Sequence, residues 1–487
     1  MVWAVSLGLL SSLALAARAD IRLPKIFSDH MVVQRQQPIT IWGWADPNES
    51  IRASLHDVSA ESVADEDGFW QIELAPLAAG GPYELKVAGA EASVLINQVH
   101  VGEVWLCSGQ SNMEWPLKRT LVGETDEARQ AELEQFRNSR IRLFNVAHVT
   151  AEKPAEDLAN ATTWQEASPE SAANFSAVAY HFAAQILQQL DAGGAENQEL
   201  VIGLIDSSWG GTAVEAWTPR PALQADPQFK PLLEHWKGNG EANPNRPGSL
   251  YNGMIAPLQR FSIRGTIWYQ GEANVGRGHQ YLALFKTLIK SWREKFGESM
   301  PFYFVQLAPY RYAGRPPEAL AELRDAQLKV LKQMSHTGMA VTTDVGNLED
   351  IHPRNKKEVG RRLALWALAK VYGRDELVYS GPIYESAEAK DGAMLVTFSC
   401  VGEGLTSSDG ELDWFSIAGE DGKFVPAQAV IVDRKTVKVY SPDVPSPKYV
   451  RFAWNDSAQP NLRNQEGLPA SPFRTDDLEL QSNGIKF

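Results

Sequence analysis

The apolar run Val104-Trp105-Leu106-Cys107 is followed, one residue on, by Gly109-Gln110-Ser111-Asn112-Met113-Glu114. A serine beside a glycine at the end of a buried strand is where α/β hydrolases place a nucleophile. The small residue lets the chain turn sharply, and the strand end opens into a crevice that can hold substrate. Such a serine does chemistry only if an imidazole and a set of hydrogen-bond donors converge on it, so the rest of the chain is read for those partners.

Downstream, apolar runs at Ile141–Val146, Leu200–Ile205, Gly265–Tyr269, Phe302–Gln306 and Met339–Thr343 alternate with helical patterns. One helix carries Val178, Phe182, Ile186 and Leu190 four apart; another puts Tyr281, Leu284, Phe285, Leu288, Ile289 and Trp292 on one face. Strand–helix alternation of this kind implies a largely parallel sheet covered on both sides. A helix from about Lys356 to Tyr372 closes this block. Upstream, residues 20–100 hold short alternating runs such as Ile39-Thr40-Ile41-Trp42-Gly43-Trp44, broken by Gly, Pro, Asn and Asp, the pattern of a small β-sandwich. Beyond Gly373 helical patterns stop; Val396-Thr397-Phe398, Val430–Val432, Val437–Tyr440 and Val450–Trp454 read as strands of a C-terminal β-domain at 376–487, some of it packed on the core. The expected division is a signal at 1–19, a β-domain at 20–100, an α/β domain at 101–375 and a second β-domain.

With 487 residues, 44% apolar and 22% charged, the chain has ample core for two or three domains. A formal charge of −14 argues against a nucleic-acid or anionic-membrane partner, which calls for a basic patch. Val2 to Ala17 is an apolar segment ending in Ala17-Arg18-Ala19, a small-x-small site, so the first 19 residues read as a secretory signal rather than a membrane anchor. A secreted or periplasmic location follows. Cys107 and Cys400 are the two cysteines, which rules out a disulfide scaffold.

Three further polar segments follow strands and emerge on the same sheet edge as Ser111. They are Ser207-Ser208-Trp209-Gly210-Gly211-Thr212, Gln270-Gly271-Glu272-Ala273-Asn274 and Glu349-Asp350-Ile351-His352-Pro353. A serine hydroxyl becomes a nucleophile when imidazole, basic enough near neutral pH, takes its proton. The imidazole needs an acceptor on its other nitrogen, and the oxyanion formed at an ester carbonyl needs preorganised donors, each worth roughly 10²–10³ in rate. The Ser111 amide, the Gly211 amide and the Gln270 side chain are a candidate set of three. No metal-binding or nucleotide-binding motif is found, and no cofactor is assigned.

Met113 stands where the second glycine of a lipase-type G-x-S-x-G elbow would be. Instead, Gly109-Gln110-Ser111-Asn112-Met113, Ser208-Trp209-Gly210-Gly211-Thr212, Trp268-Tyr269-Gln270-Gly271-Glu272 and Asp350-Ile351-His352-Pro353 resemble the ordered blocks of the sialate O-acetylesterases. These are members of the SGNH hydrolase superfamily, and related acetylxylan esterases share the pattern. Leu250-Tyr251-Asn252-Gly253-Met254 and Trp217-Thr218-Pro219 are in the same style, and the flanking β-regions resemble extra domains of bacterial members. The resemblance implies a three-layer α/β/α hydrolase that removes acetyl groups from sugars through an acyl-enzyme. It implies Ser111 as nucleophile, His352 as base, and Gly211 and Gln270 in the oxyanion hole. Asp350 is favoured as the acid, with Glu349, Glu272 and Asp344 as rivals and a carbonyl-assisted Ser–His pair as a further option. Asn112, Trp209 and Glu272 are expected to bind substrate.

Each feature also has a plainer explanation. Ser111 could cap the following helix, Gly210 and Gly211 could form a tight turn, and Gln270 could satisfy buried backbone. Trp115, Trp209, Trp217 and Tyr269 could stack on sugar faces or sit in the core. Two other functions stay open. One is a glycosidase using two of Glu215, Glu272 and Asp344; the other is a non-catalytic carbohydrate-binding protein.

Overall fold

In a computed structural model of the chain, residues 21–160, 162–192, 199–238 and 242–483 are described. The proposed signal lies outside them. Six parallel strands form the centre: β1 (Ser93–Gly109), β2 (Asn138–Asn145), β3 (Ile202–Ser208), β4 (Gly265–Tyr269), β5 (Phe302–Gln306) and β6 (Thr337–Val341). Their spatial order is β2-β3-β1-β4-β5-β6, with Gln165–Ala167 antiparallel on the outer edge of β2. The strands β3, β4 and β5 are buried along their whole length, which is why they read as continuous apolar runs. The sequence places β2 through β6 within a few residues of where they lie.

Helices pack against this sheet and pair with one another: α2 (Ala177–Asp191) against α5 (Lys356–Lys370), and α3 (Gly278–Phe296) against α4 (Ala319–Gln333). Val178, Phe182, Ile186 and Leu190 of α2 are buried as their spacing predicts, and so are the six apolar residues of α3. Ser176 starts α2 by accepting from Ala179 N, and its hydroxyl donates to Met113 O, pinning the turn after β1 to this helix. Asn355 caps α5 in the same way, through Glu358 N.

The strand β1 is longer than its apolar core requires. Its first half pairs with Gly80–Ala88, which pairs in turn with Ser50–Leu55 and then Val58–Val63. The N-terminal β-region thereby joins the central sheet through β1, and Ile39–Trp44 pairs with Phe69–Leu74 in a separate ribbon. At the crossing point Glu103 is fully buried between Arg35 and Arg264, which bond it at 2.5 Å each. C-terminal residues form two four-stranded sheets, one around Ala393–Ser399 and Thr436–Tyr440, the other around Phe415–Ala418 and Tyr449–Phe452. Their packing reaches the centre: Ser471 Oγ bonds both ends of the buried Gln306 amide, and Glu322 accepts from the Gln481 and Ser482 amides.

Candidate active site

In a parallel sheet a crevice opens where strand order reverses, and here that point is the carboxyl end of β1, between β3 and β4. The last pairs in register are Ser208 with Gly109 and Tyr269 with Gly109, so three strands end together. Gly109 has φ 138°, and a Cβ on it would lie 2.1 Å from Tyr269 O. Only glycine allows this turn, and it delivers Ser111 to the first position of the short helix α1 (Ser111–Glu114).

Here His352 Nε2 lies 2.9 Å from Ser111 Oγ, across 241 residues of sequence. Both side chains line a cavity of about 570 Å³ with Trp115, Arg119, His148 and Asp206. Trp115 stacks on the His352 ring at 4.5 Å and 16°, fixing its plane. The His352 pKa is held below its usual 6.5, first by burial and then by the Lys356 and Arg119 charges, with Asp350 opposing. A neutral imidazole facing a hydroxyl is the form that can accept its proton.

Of the four carboxylates considered for the second nitrogen, only Asp350 comes near. Its Oδ1 is 3.6 Å from His352 Nδ1, an ion-pair distance longer than a hydrogen bond, and it accepts from the His352 backbone amide at 2.9 Å. Glu349 pairs outward with Arg311, Asp344 is held by Arg362, and Glu272 points to Asn112.

Several sequence expectations meet a different geometry. Gln270 is fully buried; its Nε2 donates to Thr212 O at 3.1 Å and Asn274 Oδ1 at 2.6 Å, so its amide hydrogens serve the loops rather than the cavity. Gly211 is exposed with φ 74° and does not line the cavity, while its neighbour Gly210 donates to Glu114 Oε2 at 2.7 Å. Asn112 is 1% exposed, and its side-chain amide bonds Glu272, Ile351 O and Lys356. Trp209 stacks on His148 at 4.4 Å, and Trp217 and Tyr269 are core residues.

A second polar group lining the same cavity has no counterpart in the sequence argument. His148 follows β2 and lies 3.3 Å from Glu114, which raises its pKa while Glu114 is held low by His148 and the Gly210 amide against its burial. Beside it Asp206, at the end of β3, accepts from Ser208 Oγ at 2.6 Å, and burial pushes its pKa up to about 7. Both residues end strands on the same sheet edge, which is the signal that could have found them. Among the described residues no group of three His, Cys, Asp or Glu side chains is arranged to hold a metal ion.

Comparisons with known proteins point to one family. Residues 101–369 match the family model "Carbohydrate esterase, sialic acid-specific acetylesterase". The sialate O-acetylesterase of Mus musculus is 27% identical over 458 residues, covering 82% of each chain. That of Homo sapiens is 29% identical over 420 residues, covering 79% of this chain and 77% of its own. A crystal structure of a carbohydrate acetylesterase from Xanthomonas citri superposes with TM-score 0.83 at 37% identity, over 94% of this chain and all of the other. With more than half of its length matched and that structural likeness, the chain belongs to the sialic acid-specific acetylesterase family of carbohydrate esterases.

Proposed function

We propose that this protein is a carbohydrate O-acetylesterase working through a serine acyl-enzyme on a three-layer α/β/α domain of the SGNH type. The observation that carries the reading is the 2.9 Å contact between Ser111 Oγ and His352 Nε2 at the mouth of a cavity. Membership of the family supports the substrate class, sialic acid or another acetylated glycan.

In the first step Ser111 Oγ attacks the acetyl carbonyl carbon while its proton passes to His352 Nε2. The carbonyl oxygen becomes an oxyanion. First-turn amides of a helix have no acceptor within it, so the Ser111 N–H at the start of α1 is a donor for that charge. Collapse of the intermediate breaks the bond to the sugar oxygen, which takes the proton from His352. Water then gives a proton to His352, attacks the acyl carbon and releases acetate, restoring the Ser111 hydroxyl. Asp350 stabilises the imidazolium by charge.

The three carboxylates considered for a glycosidase are engaged elsewhere: Glu215 with Arg277 at 2.7 Å, Glu272 with Asn112, Asp344 with Arg362. The proposal extends to the organisation of the chain. A cleaved leader at 1–19 directs a secreted or periplasmic enzyme, and the 101–375 region carries catalysis between two β-rich flanks. No helix among the described residues is long and apolar enough to cross a membrane.

The test is direct. Ser111→Ala and His352→Ala each abolish release of acetate from an acetylated sugar and of phenol from an aryl acetate, with thermal melting nearly unchanged. Turnover surviving in either variant rules the mechanism out, and cleavage of aryl glycosides in place of acetates favours the glycosidase.

A further inference from the structure

Behind the Ser111–His352 pair, the buried Asn112 and Lys356 meet Glu272, a partly exposed residue with a buried carboxylate oxygen, and none of the three lines the cavity. Asn112 Nδ2 donates to Glu272 Oε1 and, at 3.0 Å, to Ile351 O, and its Oδ1 accepts from Lys356 Nζ. Both functions of this amide are thus spent on protein groups. Lys356 is 1% exposed, with Tyr269 and Trp115 rings at 5.3 Å and 5.8 Å and the charges of Glu272 and Asp350 facing it. Glu272 Oε2 is buried with no hydrogen-bond partner among the described residues. Burying a lysine and a carboxylate is costly unless they are paired and hydrogen-bonded, and here Asn112 is the group that bonds both.

The connectivity gives this bonding a purpose. Asn112 directly follows Ser111, and Ile351 directly precedes His352. The hydrogen bond between Asn112 and Ile351 therefore closes a small ring that also contains the contact between Ser111 Oγ and His352 Nε2. We propose that Glu272 and Lys356 grip Asn112 from its two ends and so act, through it, as positioning residues that hold the His352 loop in register with the Ser111 hydroxyl. The clamp rests on the esterase reading and deepens it. It joins the turn after β1, the loop after β4 and the segment leading into α5, three pieces of chain that no local interaction would align. Lys356 has a second effect, since its charge lowers the pKa of His352, the ring being faced also by Asp350 and Arg119.

The sequence reading of Asn112 and Glu272 as substrate contacts and the clamp make opposite kinetic claims. A lost substrate contact raises KM; a misplaced base lowers kcat. The experiment measures kcat, KM, the pH profile and thermal melting on an aryl acetate for Glu272→Ala, Glu272→Gln, Lys356→Met, Asn112→Asp and Ser111→Ala. Asn112→Asp is isosteric and keeps its acceptor for Lys356 but has no N–H for Ile351, so it tests the clamp in a chain of unchanged shape. Glu272→Ala, Lys356→Met and Asn112→Asp are expected to lose about 10²-fold in kcat with KM unchanged, as a displacement near 1 Å would cause. Glu272→Gln, still able to accept from Asn112, restores most of the activity. Lys356→Met also moves the acid limb of the profile to higher pH. Unchanged kcat in these variants, a loss confined to KM, or a Gln variant as damaged as the Ala variant overturns the clamp while Ser111→Ala remains inactive. Turnover by Ser111→Ala removes the esterase reading itself.

Discussion

At the scale of the residue, His352 sets the pH response. Burial and two nearby cations keep its folded pKa below 6.5, so it is unprotonated across the neutral range. In the proposed mechanism activity depends on this neutral form. The acid limb of the kcat/KM profile should therefore be centred below pH 6.5. A limb centred above 6.5 contradicts this account. Asp350 opposes the depression from a half-exposed position at 3.6 Å. Exposed charge pairs are worth at most about 1 kcal/mol, or about five-fold, so Asp350→Asn should cost about that much in kcat/KM rather than the several decades lost with a buried triad acid. Measured steady-state kinetics on that one variant decides the point. Both residues were legible from the strand-then-loop pattern and the resemblance. The strength of their coupling was not, because it depends on a distance that sequence spacing does not encode.

At the scale of the element, the turn between β1 and α1 concentrates the constraint. Gly109 combines a positive φ with a backbone carbonyl 2.1 Å from where a Cβ would sit, at Tyr269 O. Gly109→Ala should cost about 1–3 kcal/mol from conformation alone, with more from the collision, and should displace Ser111 so that activity falls along with the melting temperature. A variant that melts like the parent and keeps full turnover would mean that the turn is not set by this contact. The positions of the strands along the chain and the faces of α2 and α3 could be read from periodicity, since apolar spacing reports what each element buries. Side-chain partners could not. Gln270 serves Thr212 and Asn274, and Asn112 serves residues 160 to 244 positions away, so their roles emerge only once the loops are assembled. His148 lacks any flanking motif and gains its place solely from ending a strand on the shared edge.

For the whole molecule, the flanking β-regions are welded to the catalytic block at specific buried polar contacts. Gln306 is fully buried on β5 and relies on Ser471, from the far end of the chain, for bonds at 3.0 Å and 3.1 Å. Ser471→Val leaves that amide partly unpaired and should cost about 1–3 kcal/mol, read from denaturant unfolding of the full chain, while kcat at saturating substrate stays as in the parent. An unchanged unfolding midpoint would show that the C-terminal region does not support the central sheet through this contact. The β character of both flanks was visible in their alternating runs. Packing of part of the C-terminal flank on the core was expected too, but fusion of the amino-terminal flank was not, because nothing local marks position 100 as the middle of a strand.

The 17-residue strand Ser93–Gly109 pairs with the amino-terminal strands along its first half and with the central parallel strands along its second. Side chains alternate along it, so an insertion or deletion of one residue near Val94 would reverse which face every later residue presents, up to the turn that carries the serine. Recombination that exchanges the amino-terminal module must therefore keep this stretch at constant length. Grafting should succeed only at junctions placed ahead of Ser93, where a change of length can be absorbed before the shared ribbon begins.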